Sequence, residues 1–337
     1  MPKKEIPFQI AKTPFTLVIF GASGSLARLK LFPAIYELLK EKRLTKEFKI
    51  VGYARTPMSN EKFRAFFSKS IHEHNSNVDE KLLKELLSQV FYFSGSYEAA
   101  EDYQNFKKEL ESLEQEKKRI RIAYFSVPPT VFPAVFENLA KVNFDTPKTS
   151  LRLVIEKPFG TDLKSAKTLQ KLLKKRFKSE QIFLLDHYLG KEAVSNLLSL
   201  RYANSILTSL LSSEYVANIQ ISALESKDIE GRANYFDQVG VLKDMIQSHL
   251  LQVLAYFAIY APREKTAAAI HHEKARVLRG VTLYPLDESV VRGQYRGYTK
   301  KKGFRSTRKP KPTRRSNSSS NMDSGKTCPS TFVVENP

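Results

Sequence analysis

The stretch LVIFGASGSLARLK, Leu17–Lys30, decides how the chain begins to fold. An apolar run stops at Gly21, a second glycine follows at Gly24, and Ala27 sits within a helical pattern that starts at once. At this Gly-x-x-Gly-x-x-Ala spacing, a strand turns directly into a helix. The first-turn N–H groups then converge on one point, and the glycines remove side chains that would hold a phosphate away. The same spacing suits a plain tight turn between strand and helix, so the flanking sequence has to decide.

PFTLVIF (14–20) reads as a buried strand. Residues 26–42 read as a helix with Leu31, Ile35, Leu38 and Leu39 on one side, and Pro33 predicts an irregular first turn. FKIVGYA forms a second strand that ends at Arg55, and helical patterns cover 60–70, 79–90 and 100–117. RIRIAYFSV (119–127) is a strand stopped by Pro128 and Pro129. A helix (130–141), a strand (150–156), a helix (163–177) and a strand (181–186) follow. Strands alternating with helices imply right-handed crossovers and a parallel sheet covered on both faces. The expected fold class is α/β: a Rossmann-like, doubly wound parallel sheet over residues 1–190.

Past Gly190 the texture changes. A helix at about 191–209 precedes YVANIQISALE (215–225), whose alternation suits a half-exposed antiparallel strand, and helices follow at about 238–260 and 263–279. Residues 191–296 are expected to form a partial, incomplete α+β domain. Residues 297–337 are expected to be a disordered basic tail, rich in Lys, Arg, Ser and Pro.

The second strand ends Tyr53-Ala54-Arg55, with a cation where an acid would meet a ribose 2'-hydroxyl. Arginine suits a 2'-phosphate, which favours NADP over NAD; a solvated strand-end cation is the alternative. A second dense stretch is LLDHYLGKEAVSNLL, where Asp186 and His187 stand at the carboxyl end of a strand and Lys191 starts a helix. Open α/β sheets bind ligands at that end, and His, Tyr and Lys there can gather a phosphate. Of six histidines, His72, His74 and the pair His271–His272 lie in polar segments, leaving His187 and His249 for chemistry. His249 also suits a core position, among Ile246, Leu250 and Leu251.

GASGSLARLKLFPAIY, GYAR, YFSVPPTVF, VIEKPFGTDLKSA, LLDHYLGKEAVSNLLSLRYAN and IEGRANYFDQVGVLKDMIQSHLLQVL occur in one order over roughly residues 14–296. Their order and spacing resemble the glucose-6-phosphate dehydrogenase family, of which DHYLGKE is the signature. The resemblance implies NADP-dependent oxidation of glucose 6-phosphate to the phosphogluconolactone. It implies that Gly21, Ala22, Ser23, Gly24, Ser25, Leu26, Ala27 and Lys30 line the NADP diphosphate, with Arg55 on the 2'-phosphate. Phe132 stands where the family often has a tyrosine beside the cofactor, Lys157 would contact cofactor and sugar, and Pro158 would be cis. His187, Tyr188 and Lys191 would hold the sugar phosphate, Glu225 and Asp244 the sugar hydroxyls. His249 would be the general base, oriented and charge-stabilised by Asp186. Chemistry agrees: forming the lactone requires removing the C1 hydroxyl proton as hydride leaves, and an imidazole titrates in the right range to accept it. Ser25, Leu29 and Ser248 replace the family's usual Asp, cation and Asn. A family-like homo-oligomer is a further implication.

The chain has 337 residues and a net charge of +20. From Arg296 onward, eleven Lys and Arg stand against Asp323 and Glu335, and the other 295 residues carry +11 on amphipathic segments. Such a surface also steers an anionic substrate. The tail's aromatics are Tyr298, Phe304 and Phe332, few for base stacking, so no nucleic acid is expected as partner. No apolar run reaches the length of a membrane span and no signal segment is read at the N-terminus, so a cytoplasmic protein is expected. Cys328 is the sole cysteine, which excludes an intrachain disulfide and a cysteine-based metal cluster, and no metal is expected. The family pattern is expected to stop near Tyr295 or Tyr298, before the family's large antiparallel sheet is complete. The closing CPSTFVVENP is expected to be a frameshift product. An impaired NADP-binding remnant is therefore the alternative to an active enzyme.

Overall fold

The computed structural model describes residues 13–115, 118–160, 162–212, 214–224, 233, 239–260, 264, 266–282 and 330–335. The chain divides into two compact units, Met1–Leu185 and Asp186–Pro337. The division falls five residues before the expected boundary and puts the whole DHYLG turn in the second unit.

The first unit holds six parallel strands: β1 (Phe15–Phe20), β2 (Phe48–Ala54), β3 (Val90–Ser94), β4 (Arg119–Phe125), β5 (Thr149–Glu156) and β6 (Ile182–Leu185). Their order is β3-β2-β1-β4-β5-β6, the doubly wound arrangement expected. The sequence reading missed β3, whose residues VFYFS lie directly behind a helix with no turn signal between them.

Alternation along each strand sorts the side chains into two cores. Val18 and Phe20 of β1 and Val51 and Tyr53 of β2 face α4 (Ala100–Glu114), α5 (Phe132–Lys141) and α6 (Leu163–Arg176). Ile19, Phe48 and Ile50 face α1 (Phe32–Lys40), α2 (Asn60–His74) and α3 (Glu80–Ser88). An ion pair lies inside the first core: Arg121 Nη2 and Glu114 Oε2 are 2.7 Å apart with both side chains buried, and Arg121 Nη1 donates to the Phe144 carbonyl at 2.9 Å.

The irregular turn predicted from Pro33 is a π-helical stretch, Ala27–Leu31, leading into α1. Proline has no N–H to return to the preceding turn, so the ladder shifts there.

The second unit contains α7 (Glu192–Ala203), α8 (Ser205–Leu210), a π-helical segment Leu242–Leu250 that continues as α9 (Leu251–Ala258), and α10 (Ala267–Arg279). The helix expected at 191–209 breaks at Asn204, whose side chain caps α8 by accepting from the Leu207 N–H at 3.1 Å. β7 (Asn218–Ala223) is the expected alternating strand. Its partner lies within the stretch expected to be disordered: β8 (Ser330–Glu335) pairs with β7 antiparallel, and residues 297–329 lie outside the described residues. STFVVE carries β-branched and aromatic residues suited to a strand, a local signal outweighed in the reading by the basic sequence before it. Among the described residues, no helix is long and apolar enough to cross a membrane.

Candidate active site

Two groups of candidate residues come together, one in each unit. In the first, Gly21 ends β1 with φ +86°, and its N–H donates to the Tyr53 carbonyl of β2 at 2.8 Å. A Cβ there would sit 2.3 Å from the Ser126 carbonyl oxygen, so the turn admits only glycine. Gly24 differs: a Cβ would meet only the Gly21 oxygen, at 3.0 Å. Its value lies in what it leaves open. Ser23 Oγ lies 3.1 Å from Thr56 Oγ1, tying the glycine turn to the end of β2. Ala22 and Ala27 are buried, Leu26 is half-buried, and Ser25 and Lys30 are exposed. The turn therefore presents backbone and small groups at the start of a helix, a fit to a pyrophosphate.

Arg55 follows β2 directly and is exposed, with no acid beside it in sequence. Its guanidinium lies 5.4 Å from the ring centroid of Tyr97, a buried residue the sequence reading passed over. Burial raises the Tyr97 phenol pKa, and the Arg55 charge opposes that rise. Tyr97 follows the missed strand β3, so its place became legible only with that strand. Phe132 is 1 % exposed and packs against Phe125 and Phe136; the structure places it as a core aromatic. Lys157 is exposed just after β5, and its peptide bond to Pro158 is cis as expected.

The second group is built on the turn Asp186–Lys191. Leu189, Gly190 and Lys191 donate their N–H groups to the carbonyls of Asp186, His187 and Tyr188 at 3.1, 3.3 and 3.2 Å. The turn delivers the chain into α7 with Lys191 at its N-terminal cap. Asp186 Oδ1 accepts the Tyr188 N–H at 3.0 Å and lies 2.8 Å from His249 Nδ1. The side chains of His249 and Asp186 are 6 % and 5 % exposed. A carboxylate can only accept, so Nδ1 carries a proton, and the lone pair of the neutral ring lies on Nε2. Tyr188 stacks on the His249 ring at 4.2 Å and 17°, and His187 meets it edge-on at 4.6 Å and 72°. The Lys191 ammonium lies 3.8 Å from the Tyr188 ring centroid. Burial, with the Asp186 charge second, raises the pKa of Tyr256.

His249 lies in the last turn of the π-helical segment, the kind of distortion that marks functional sites. Ser248 Oγ donates to the Lys243 carbonyl at 2.8 Å, supplying a partner inside that irregular ladder. Asp244 is half-buried five residues before His249 on the same segment. Glu225 lies outside the described residues.

Residues 18–196 match the NAD binding domain of glucose-6-phosphate dehydrogenase, and residues 198–324 match its C-terminal domain. The chain belongs to the glucose-6-phosphate dehydrogenase family. The second match runs past Tyr298, where the sequence reading expected the pattern to end. Glucose-6-phosphate 1-dehydrogenase of Chlamydia muridarum is 39% identical over 291 residues, 84% of this chain and 57% of that protein. The chloroplastic enzyme 1 of Arabidopsis thaliana is 38% identical, over 86% of this chain and 50% of its own length. The chain thus spans about half the length of the curated relatives it matches. A solved glucose-6-phosphate dehydrogenase in complex with glucose 6-phosphate superposes with TM-score 0.78 at 35% identity, covering 88% of this chain and 64% of that one. The glucose-6-phosphate 1-dehydrogenase of Mycobacterium avium gives 0.75 at 32%, over 87% and 62%.

Proposed function

We propose that the chain oxidises glucose 6-phosphate at C1 to the 6-phosphogluconolactone, with NADP+ as hydride acceptor. The observation that carries this reading is the 2.8 Å contact between His249 Nδ1 and Asp186 Oδ1, set inside the family's signature turn. His249 Nε2 takes the C1 hydroxyl proton. The imidazolium so formed stays against a carboxylate whose charge is otherwise costly to bury, which stabilises it as the proton arrives. His187, Tyr188 and Lys191 hold the sugar phosphate, with the N-terminus of α7 behind them. Lys157, Asp244 and Glu225 serve the sugar.

The first unit fits the cofactor on its own geometry. Gly21 makes the turn, Gly24 leaves the approach open, and Arg55 meets a 2'-phosphate with no acid to repel it. When bound, the nicotinamide supplies the acceptor for the C1 hydride. Arg55 makes NADP the preferred dinucleotide, because NAD offers the guanidinium nothing.

Purified chain, mixed with glucose 6-phosphate and NADP+, is expected to form NADPH. Tight NADP+ binding with no sugar-dependent reduction would instead establish the impaired remnant.

A further inference from the structure

The signature turn gathers more than a base and its orienting acid. Asp186, His187 and His249 each offer one ligand atom, and these atoms lie within 4.8 Å of one another. Resting on the reading of this turn as catalytic, we infer that the three residues also take a borderline transition cation of the zinc type. Its binding and the base role of His249 exclude one another.

The geometry is close to what such an ion requires. Tetrahedral zinc holds nitrogen and oxygen at about 2.0–2.2 Å, which spaces its ligands roughly 3.4 Å apart. His249 Nδ1 and Asp186 Oδ1 are already 2.8 Å apart and shielded from solvent. His187 is the exposed member, so it is the ligand that would turn to close the remaining gap. Two imidazoles with one carboxylate suit zinc and disfavour magnesium or calcium, which take oxygen ligands. Stacking by Tyr188 already fixes the His249 ring plane, which lowers the cost of ordering that ligand. The Lys191 ammonium over the Tyr188 ring repels a second cation and weakens its binding.

The ion takes His249 Nδ1 beside Asp186 Oδ1, and the proton held there moves to Nε2 of the same ring. With Nε2 protonated, the ring cannot accept the C1 proton. The site would thereby tie dehydrogenase activity to free zinc.

Equilibrium dialysis of the full chain against zinc chloride tests this, with magnesium chloride as the comparison. The parent is expected to retain one zinc per chain and no magnesium. His187→Gln, an exposed substitution checked by its thermal midpoint, is expected to weaken zinc about tenfold or more, since even ligand-supporting partners cost about 10–100-fold. A His271→Gln/His272→Gln double variant is expected to bind as the parent does, because that pair sits on α10. Absence of saturable zinc in the parent would overturn the inference. So would zinc that survives His187→Gln, or zinc lost in the α10 variant. Calorimetry with glucose 6-phosphate and no metal reads the catalytic assignment separately: zinc held by a chain that ignores the sugar refutes only that assignment.

Discussion

The two glycines of the first turn should respond differently to the same substitution. At Gly21 an added methyl faces two penalties. The left-handed backbone, φ +86°, costs an L-residue about 1–2 kcal/mol. The Cβ would also lie 2.3 Å from the Ser126 oxygen and 2.8 Å from Val127 Cγ1, so backbone must move, at about 1–3 kcal/mol. Gly21→Ala should therefore lose about 2–5 kcal/mol, and at about 2–4 °C per kcal/mol the first unit should melt roughly 4–20 °C lower. At Gly24 no positive φ applies, and only the Gly21 oxygen stands at 3.0 Å. The strain there is offset by the smaller entropy of the unfolded alanine chain, about 0.4–1 kcal/mol. Gly24→Ala should melt within a few degrees of the parent. It should still bind NADP+ about ten- to a hundredfold more weakly, because its methyl holds the diphosphate off charge-assisted contacts worth about 1.5–3 kcal/mol. Differential scanning calorimetry and fluorescence titration with NADP+ read the two effects. Parental NADP+ affinity in Gly24→Ala would refute the phosphate cradle, and an unchanged melting point in Gly21→Ala would refute the strained turn.

Three further outcomes are expected. Glu114→Ala strands the buried Arg121 guanidinium and should cost about 3–5 kcal/mol by chemical denaturation; a loss under 1 kcal/mol would show the charge finds solvent. Arg55→Ala should erase a preference for NADP+ over NAD+ of about ten- to a hundredfold, measured by titrating both, and equal parental affinities would remove Arg55 from that role. Lys191→Ala should weaken glucose 6-phosphate binding in calorimetry more than it slows turnover, whereas a pure rate effect would move Lys191 from anchoring to chemistry.

The parallel sheet was legible because strand and helix periods differ and because Gly21, Pro33, Pro128 and Pro129 punctuate them. β3 escaped because VFYFS follows α3 without a break, and with it went Tyr97, whose contact with Arg55 depends on strands folding side by side. The pairing of β8 with β7 was equally invisible, since a pairing across more than a hundred residues leaves no local trace. Asp186 and His249 were candidates from the residues alone, and their roles came from the family resemblance; their contact spans 63 positions and only the fold supplies it. Phe132 was placed beside the cofactor by position alone, and its ring packs in the core.

The central claim is that His249, held by Asp186, takes the C1 proton. NADPH formation should be followed in the parent and in His249→Asn, with glucose 6-phosphate affinity measured on both by calorimetry. The account predicts sugar-dependent reduction by the parent, a rate about 10²–10⁴-fold lower in the variant, and near-equal affinities. An active parent with a variant of near-parental rate would contradict it.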